Sequence, residues 1–122
     1  VLIELQKAYR LFIVSNCSQG YIENFLTFHD LRNFFTDFES SGNTGLHKSE
    51  NIQLIIKRNH LINPVYVGDT IWDKEAAAAA SIPFIYAAYG FGKIDGPGWK
   101  VVEIKALPKL LLSLHYEQCH NF

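Results

Sequence analysis

Along this chain, short continuous apolar runs alternate with stretches whose apolar residues recur every three or four positions. Leu11-Phe12-Ile13-Val14 is unbroken and apolar, the pattern of a strand buried on both faces of a parallel sheet. Val65-Tyr66-Val67 is β-branched and aromatic and predicts a second buried strand. Phe34 to Glu39 reads as a short strand near an edge, and Phe84 to Ala88 as a further strand. Between the strands the period changes. Val1, Leu2, Leu5 and Ala8 fit the end of a helix. Tyr21 to Leu26 opens another helix. Ser49 is a good cap for a helix through Asn59, with Ile52, Ile55, Ile56 and Asn59 on its inner stripe. Ala76 to Ala80 is built from the strongest helix former. Leu107, Leu110, Leu111 and Leu114 mark a last helix, with Pro108 in its first turn. Ser40 to Gly45 reads as a loop, and Gly96-Pro97-Gly98-Trp99 as a turn. Strand and helix in alternation predict an α/β fold, a parallel sheet with helices on both faces. Residues 1–122 then belong to one domain, with no second.

Composition narrows the picture. The 122 residues suffice for one small domain, and 48% are hydrophobic, ordinary for a packed core. A formal net charge of -1 gives no basic footprint for nucleic acid. No apolar run approaches the roughly 20 residues of a membrane span. Cys17 and Cys119 are too few and too far apart for a disulfide scaffold or a zinc site, which points to a reducing compartment, read here as the cytoplasm. The chain opens on Val1-Leu2-Ile3-Glu4-Leu5, which reads as the middle of a helix and hence as a truncated start.

Candidate chemistry gathers where strands end. Val65 to Val67 runs into Gly68-Asp69-Thr70-Ile71-Trp72-Asp73. Asp69 leaves the strand, and Asp73 lies one helical turn further on, so both carboxylates can share one face of a helix start. Open α/β sheets bind ligands at this end of their strands. Paired carboxylates there suit Mg²⁺, which keeps several waters and bridges to phosphate. The alternative is structural, with Asp69 capping the helix and Asp73 favouring its positive end. Ser15 and Asn16 end the first apolar strand, where a hydroxyl can bond a phosphoryl oxygen, though Ser and Asn also cap turns. Lys48 precedes the helix through Asn59. A cation there opposes the helix dipole, which is a reason to suspect function; the alternative is an ordinary solvated loop lysine. Tyr89-Gly90-Phe91-Gly92 lacks the ending of a phosphate-binding Gly loop. His115, Cys119 and His120 lie in a tail with no further ligand, so a metal site there is not expected.

Three segments in order carry a resemblance: Ile13-Val14-Ser15-Asn16-Cys17, then Gly42 to Ile52 including Lys48, then Val65 to Asp73. With Ile82 to Gly92, they resemble motifs two, three and four of the haloacid dehalogenase (HAD) superfamily, in its phosphoglycolate phosphatase-like branch. The resemblance covers nearly the whole chain. It implies a HAD-like, Rossmann-type three-layer sandwich and a Mg²⁺-dependent hydrolase of a small phosphomonoester, working through an aspartyl-phosphate. Ser15, with the Asn16 backbone, would bond the phosphoryl group. Lys48 would neutralise its charge. Asp69 would hold Mg²⁺ directly or through water, and Asp73 would support the metal shell or orient Lys48.

One departure accompanies these matches. The family's first motif is an Asp-x-Asp-x-Thr run ending the first strand, where the first Asp is the nucleophile. Asp30, Asp37 and Asp95 lie in no such context, and the family's helical cap is absent as well. In the family the first strand lies between the strand ending at Ser15 and the strand ending at Gly68. The resemblance therefore implies a sheet missing its central first strand, and a chain inactive when alone. The expected partners are a small phosphomonoester and the missing N-terminal half of the same protein, with no nucleic acid or membrane. The alternatives are a non-catalytic Mg²⁺- and phosphate-binding module and one half of a split enzyme.

Overall fold

The computed structural model of the chain describes residues 2–88 and 98–111. Among these residues strands and helices follow in chain order. Helix α1 (Leu2–Ala8) precedes β1 (Phe12–Ser15), α2 (Tyr21–Phe28) and β2 (Asp37–Ser40). Then come α3 (Ser41–Thr44), α4 (Lys48–Asn59), β3 (Tyr66–Gly68), α5 (Ile71–Ala79), β4 (Phe84–Ala87) and β5 (Trp99–Val101). Residues 107–111 are helical. Every strand pair is parallel, as the α/β alternation requires.

The sheet is divided. β1 pairs with β2, in register from Phe12 with Asp37 to Ser15 with Ser40. β3 pairs with β4, and β4 with β5. Among the described residues no ladder joins β1 to β3. This is the gap implied by a missing central strand.

Helices cover both faces of the divided sheet. On one face Leu5, Ile85, Val101 and Leu107 form a buried cluster with Leu11, Val65 and Val67 against it. On the other, Ile52, Ala76 and Ala80 pack with Val14, Ile56 and Tyr66. Side chains along a strand alternate between faces, so Val65 and Val67 serve the first cluster and Tyr66 the second. The alanines of α5 let it sit close, with Ala77 fully buried.

Several expected boundaries shift. The strand read from Phe34 begins only at Asp37, because Arg32–Phe34 forms a 3-10 turn. The loop read from Ser40 contains a helical turn, capped by the Ser40 hydroxyl accepting from the Asn43 N–H at 3.2 Å. The cap of α4 is His47 rather than Ser49, and Lys48 is the first helical residue. The Glu50 carboxylate accepts the His47 N–H at 3.3 Å, which moves the helix start back two positions. Trp99, read as part of a turn, opens β5. A three-residue strand is too short to show the alternation by which strands are found. Tyr89–Gly92, Leu114, His115, Cys119 and His120 lie outside the described residues.

Candidate active site

Each candidate side chain stands where a strand ends or a helix begins. The β3–α5 connection is the most constrained. Gly68 closes β3, and a Cβ there would lie 2.5 Å from the Asp73 Cβ and 2.7 Å from its Oδ2. Only glycine leaves room for Asp73 to fold back on the strand end. The Thr70 hydroxyl accepts the Asp73 N–H at 3.1 Å, and Asp73 Oδ2 accepts the N–H groups of Thr70 at 3.2 Å and Asp69 at 3.1 Å. This is a reciprocal cap, in which two side chains satisfy the orphan donors of a helix start.

The other oxygen of Asp73 faces a different element. Lys48 Nζ donates to Asp73 Oδ1 at 2.6 Å, with side chains only 15% and 9% exposed. Lys48 opens α4, which follows β2, while Asp73 follows β3. Their contact therefore brings the C-terminal ends of the two sheet portions to one side of the molecule. It also resolves the conflict of a cation at a helix N-terminus, since the carboxylate offsets the unfavourable dipole. Burial pushes the Asp73 carboxyl up, but the Lys48 ammonium, the Asp69 N–H and the Thr70 side chain outweigh it and hold it below the usual range.

Ser15 ends β1. The next residue, Asn16, accepts through Oδ1 from the Ser41 hydroxyl at 2.6 Å, and the Gly42 N–H donates to the Cys17 carbonyl at 2.9 Å. A Cβ on Gly42 would collide with backbone atoms of residues 17–19. The α3 turn is thus pressed flat on the Ser15–Asn16 loop and fixes it. Among the described residues, no hydrogen bond or ion pair links Ser15 or Asn16 to Lys48 or Asp73. The structure joins Lys48, Asp73 and the Asp69 backbone directly. Ser15 and Asn16 lie at the end of β1, which pairs with β2.

Supporting residues missed by sequence reading surround this core. Asn51 is wholly buried on α4, its Oδ1 accepting the Thr44 hydroxyl at 2.7 Å and its Nδ2 without a partner among the described residues. The Thr44 hydroxyl also accepts the Leu46 N–H at 3.1 Å. These bonds pin the approach to Lys48 against its helix. The Thr70-x-x-Asp73 spacing was a readable capping signal. The Thr44–Asn51 pair had none, because seven residues and a turn separate the two.

At the other end of α4, Arg58 bonds Asp37 at 2.8 and 2.9 Å and Glu39 at 3.1 Å. The Glu39 carboxylate also accepts from the Asn43 side chain at 2.6 Å. Burial raises both carboxyls, yet the hydrogen bonds from Arg58 and from Asn59 or Asn43, with the backbone N–H groups, hold each below its ordinary range.

The haloacid dehalogenase-like hydrolase family model matches residues 1–87. The chain belongs to this family. No curated protein resembles the chain closely enough to count as a match. Among solved structures, a protein described as a predicted phosphatase from Clostridium acetobutylicum superposes with a TM-score of 0.83 at 20% identity. The match covers 92% of this chain and 56% of that one. A haloacid dehalogenase-like family hydrolase from Streptococcus pneumoniae matches at 0.78 and 21%, over 93% of this chain and 56% of that one. A HAD-hydrolase from Bacillus subtilis, bound to magnesium, matches at 0.76 and 21%, over 90% and 51%. These likenesses establish a HAD-like, Rossmann-type fold. The chain spans about half the length of the solved structures it matches.

By themselves the described residues do not assemble a Mg²⁺ site. Among the described residues no group of three metal-capable side chains gathers. Asp73 commits one oxygen to Lys48 and the other to two backbone N–H groups. The Asp69 carboxylate follows directly on the end of β3. Mg²⁺ sites built on one or two carboxylates plus waters and substrate phosphate are the usual kind.

Proposed function

We propose that these residues form part of a Mg²⁺-dependent HAD phosphatase that hydrolyses a small, phosphoglycolate-like phosphomonoester in the cytoplasm. The observation that carries this reading is the buried Lys48–Asp73 pair at 2.6 Å, set beside Asp69 at the strand end. Residues 1–122 make up the C-terminal part of one core domain.

In this reading Asp69 holds the metal, which supplies charge neutralisation at the phosphoryl oxygens. Asp73 holds Lys48 in place, and the Lys48 ammonium faces the charge that develops on the transferring group. The Ser15 hydroxyl and the Asn16 backbone bond a phosphoryl oxygen from the β1 side. Phosphoryl transfer asks mainly for positioning and charge neutralisation, and these groups supply both. The nucleophilic Asp that forms the aspartyl-phosphate comes from outside these 122 residues.

Assays with p-nitrophenyl phosphate test the reading. The 122-residue chain is expected to show no turnover with Mg²⁺. A protein that also carries an Asp-x-Asp-x-Thr strand is expected to turn over, and Asp69→Asn to abolish it. Mg²⁺-dependent turnover by the 122 residues alone would show that the nucleophile lies within them.

A further inference from the structure

From Ser40, in register with Ser15, the chain runs through α3 to Lys48. This turn is anchored at its base. The Ser40 hydroxyl accepts the Asn43 N–H at 3.2 Å, and the Asn43 side chain donates to Glu39 at 2.6 Å. Each flank of the turn then meets a different part of the candidate site. At its first residue, Ser41 donates its hydroxyl to Asn16 Oδ1 at 2.6 Å, and beside it the Gly42 N–H holds the Cys17 carbonyl at 2.9 Å. At its last residue, the Thr44 hydroxyl donates to Asn51 Oδ1 at 2.7 Å. Asn51 follows Lys48 by three positions in α4, so the two share a helix face.

Two features set these bonds apart from ordinary loop packing. Asn51 is wholly buried, yet its Nδ2 has no partner among the described residues. A buried amide with an unmade bond costs stability, and a leucine of similar size would escape that cost. What the amide does hold is Thr44. The loop after Ser15 is equally dependent on α3. Among the described residues, Asn16 is the one member of residues 15–20 whose side chain makes a hydrogen bond, and Ser41 is its partner. The Tyr66 hydroxyl crosses from β3 to donate to the Val14 carbonyl at 2.8 Å, but that bond holds the strand before Ser15, not the loop after it.

We propose that α3 is a positioning turn, a spacer that sets the Ser15–Asn16 loop against Lys48, a role that rests on the reading of Ser15, Asn16 and Lys48 as phosphoryl contacts. Ser41, Thr44 and Asn51 are its positioning residues. None of the three touches the substrate. They act through Asn16 on one flank and through the start of α4 on the other. A phosphoryl group gripped from two sides is sensitive to the distance between the grips, because a misplacement of about 1 Å can cost about 10²-fold in rate. Bonded at its base and on both flanks, the turn fixes that distance.

Steady-state assays of a phosphatase that contains this chain test the role, with p-nitrophenyl phosphate as substrate and inorganic phosphate as competing ligand. Ser41→Ala and Thr44→Val each release one flank. Each is expected to lower kcat and to raise both KM and the inhibition constant of phosphate, by about three- to tenfold, the size of one lost hydrogen bond. Thr44→Ser keeps the hydroxyl and is expected to restore all three. The double variant is expected to lose little more than the worse single variant, because either change already frees the turn. Asn51→Leu removes the unpaired amide and leaves the Thr44 hydroxyl the Ser40 carbonyl at 3.2 Å. It is expected to keep or raise the urea midpoint while losing activity as Thr44→Val does. A change in KM alone for Ser41→Ala and in kcat alone for Thr44→Val, multiplying in the double variant, would overturn the proposal by showing two independent anchors. A loss in Thr44→Val that Thr44→Ser does not restore would overturn it too. If Lys48→Met abolishes turnover while the α3 variants keep full activity, the spacer role alone fails. If Lys48→Met leaves turnover intact, the reading of the site fails and the spacer role with it. Should Thr44→Val not fold, Ser41→Ala and Asn51→Leu decide.

Discussion

Helix α4 carries a cation at each end, and the two behave in opposite ways. Arg58, in the last turn, agrees with the helix dipole and answers two carboxylates of the neighbouring strand. It is 41% exposed and ties helix to sheet. Lys48, at the first residue, opposes the dipole, is nearly buried, and answers one carboxylate from a distant connection. The first cluster obeys every local preference and reads as scaffold. The second violates one and needs a dedicated partner to hold it. A charge kept where local physics resists it marks the end of this helix on which the proposed function draws.

Breaking the Lys48 end should have the largest effect. In a phosphatase that contains this chain, Lys48→Met is expected to cut kcat about 10²- to 10³-fold, against a small change for Arg58→Ala. Equal losses in a steady-state assay of both variants would erase the distinction between the two ends. Gly68→Ala comes next. Its methyl group would push Asp73 off both the α5 cap and Lys48, with an expected destabilisation of about 1–3 kcal/mol in urea unfolding. An unchanged midpoint would mean that Asp73 is not packed against the strand end as described.

Arg58→Ala is expected to cost about 1–2 kcal/mol, since it leaves the buried Glu39 short of a partner. Its signature lies in pH dependence. Asp37, Glu39 and Asp73 all have carboxyls held below their ordinary range. Such groups stabilise the fold above the unfolded pKa of about 4 and lose that contribution as pH falls through the lower folded value. Stability should be flat near neutrality and decline below about pH 4. Arg58→Ala should flatten part of this acid limb and leave the part due to Asp73. Thermal unfolding between pH 2 and 7 measures it, and parallel curves for both proteins would contradict the assignment.

The sequence made the α/β alternation legible because Leu11 to Val14 and Val65 to Val67 must be apolar on both faces. It also exposed Ser15, Lys48, Asp69 and Asp73 as candidates, since each sits beside a strand or helix end that local pattern locates. What it hid were contacts across distance. Asp73 as the partner of Lys48 was one of two roles that the resemblance gave it, and no local pattern shows it, while nothing at Asn51 announces Thr44. The start of α4 was misplaced because Ser49 is the better cap by type, whereas His47 holds the position through Glu50. β5 went unread because Trp99–Val101 is too short for its pattern to stand out from the preceding turn. The division of the sheet was anticipated from a resemblance rather than from any residue, but Tyr66 as its bridge was not.

The Asp73 carboxylate belongs to two structures at once. It closes the first turn of α5 and it grips Lys48. Fraying of that turn would therefore release the lysine in the same step, and the site would have no partly assembled state of its own. Its lifetime would equal that of a helix nucleus, and amide exchange at Thr70 and Asp73 would report directly on how often the site falls open.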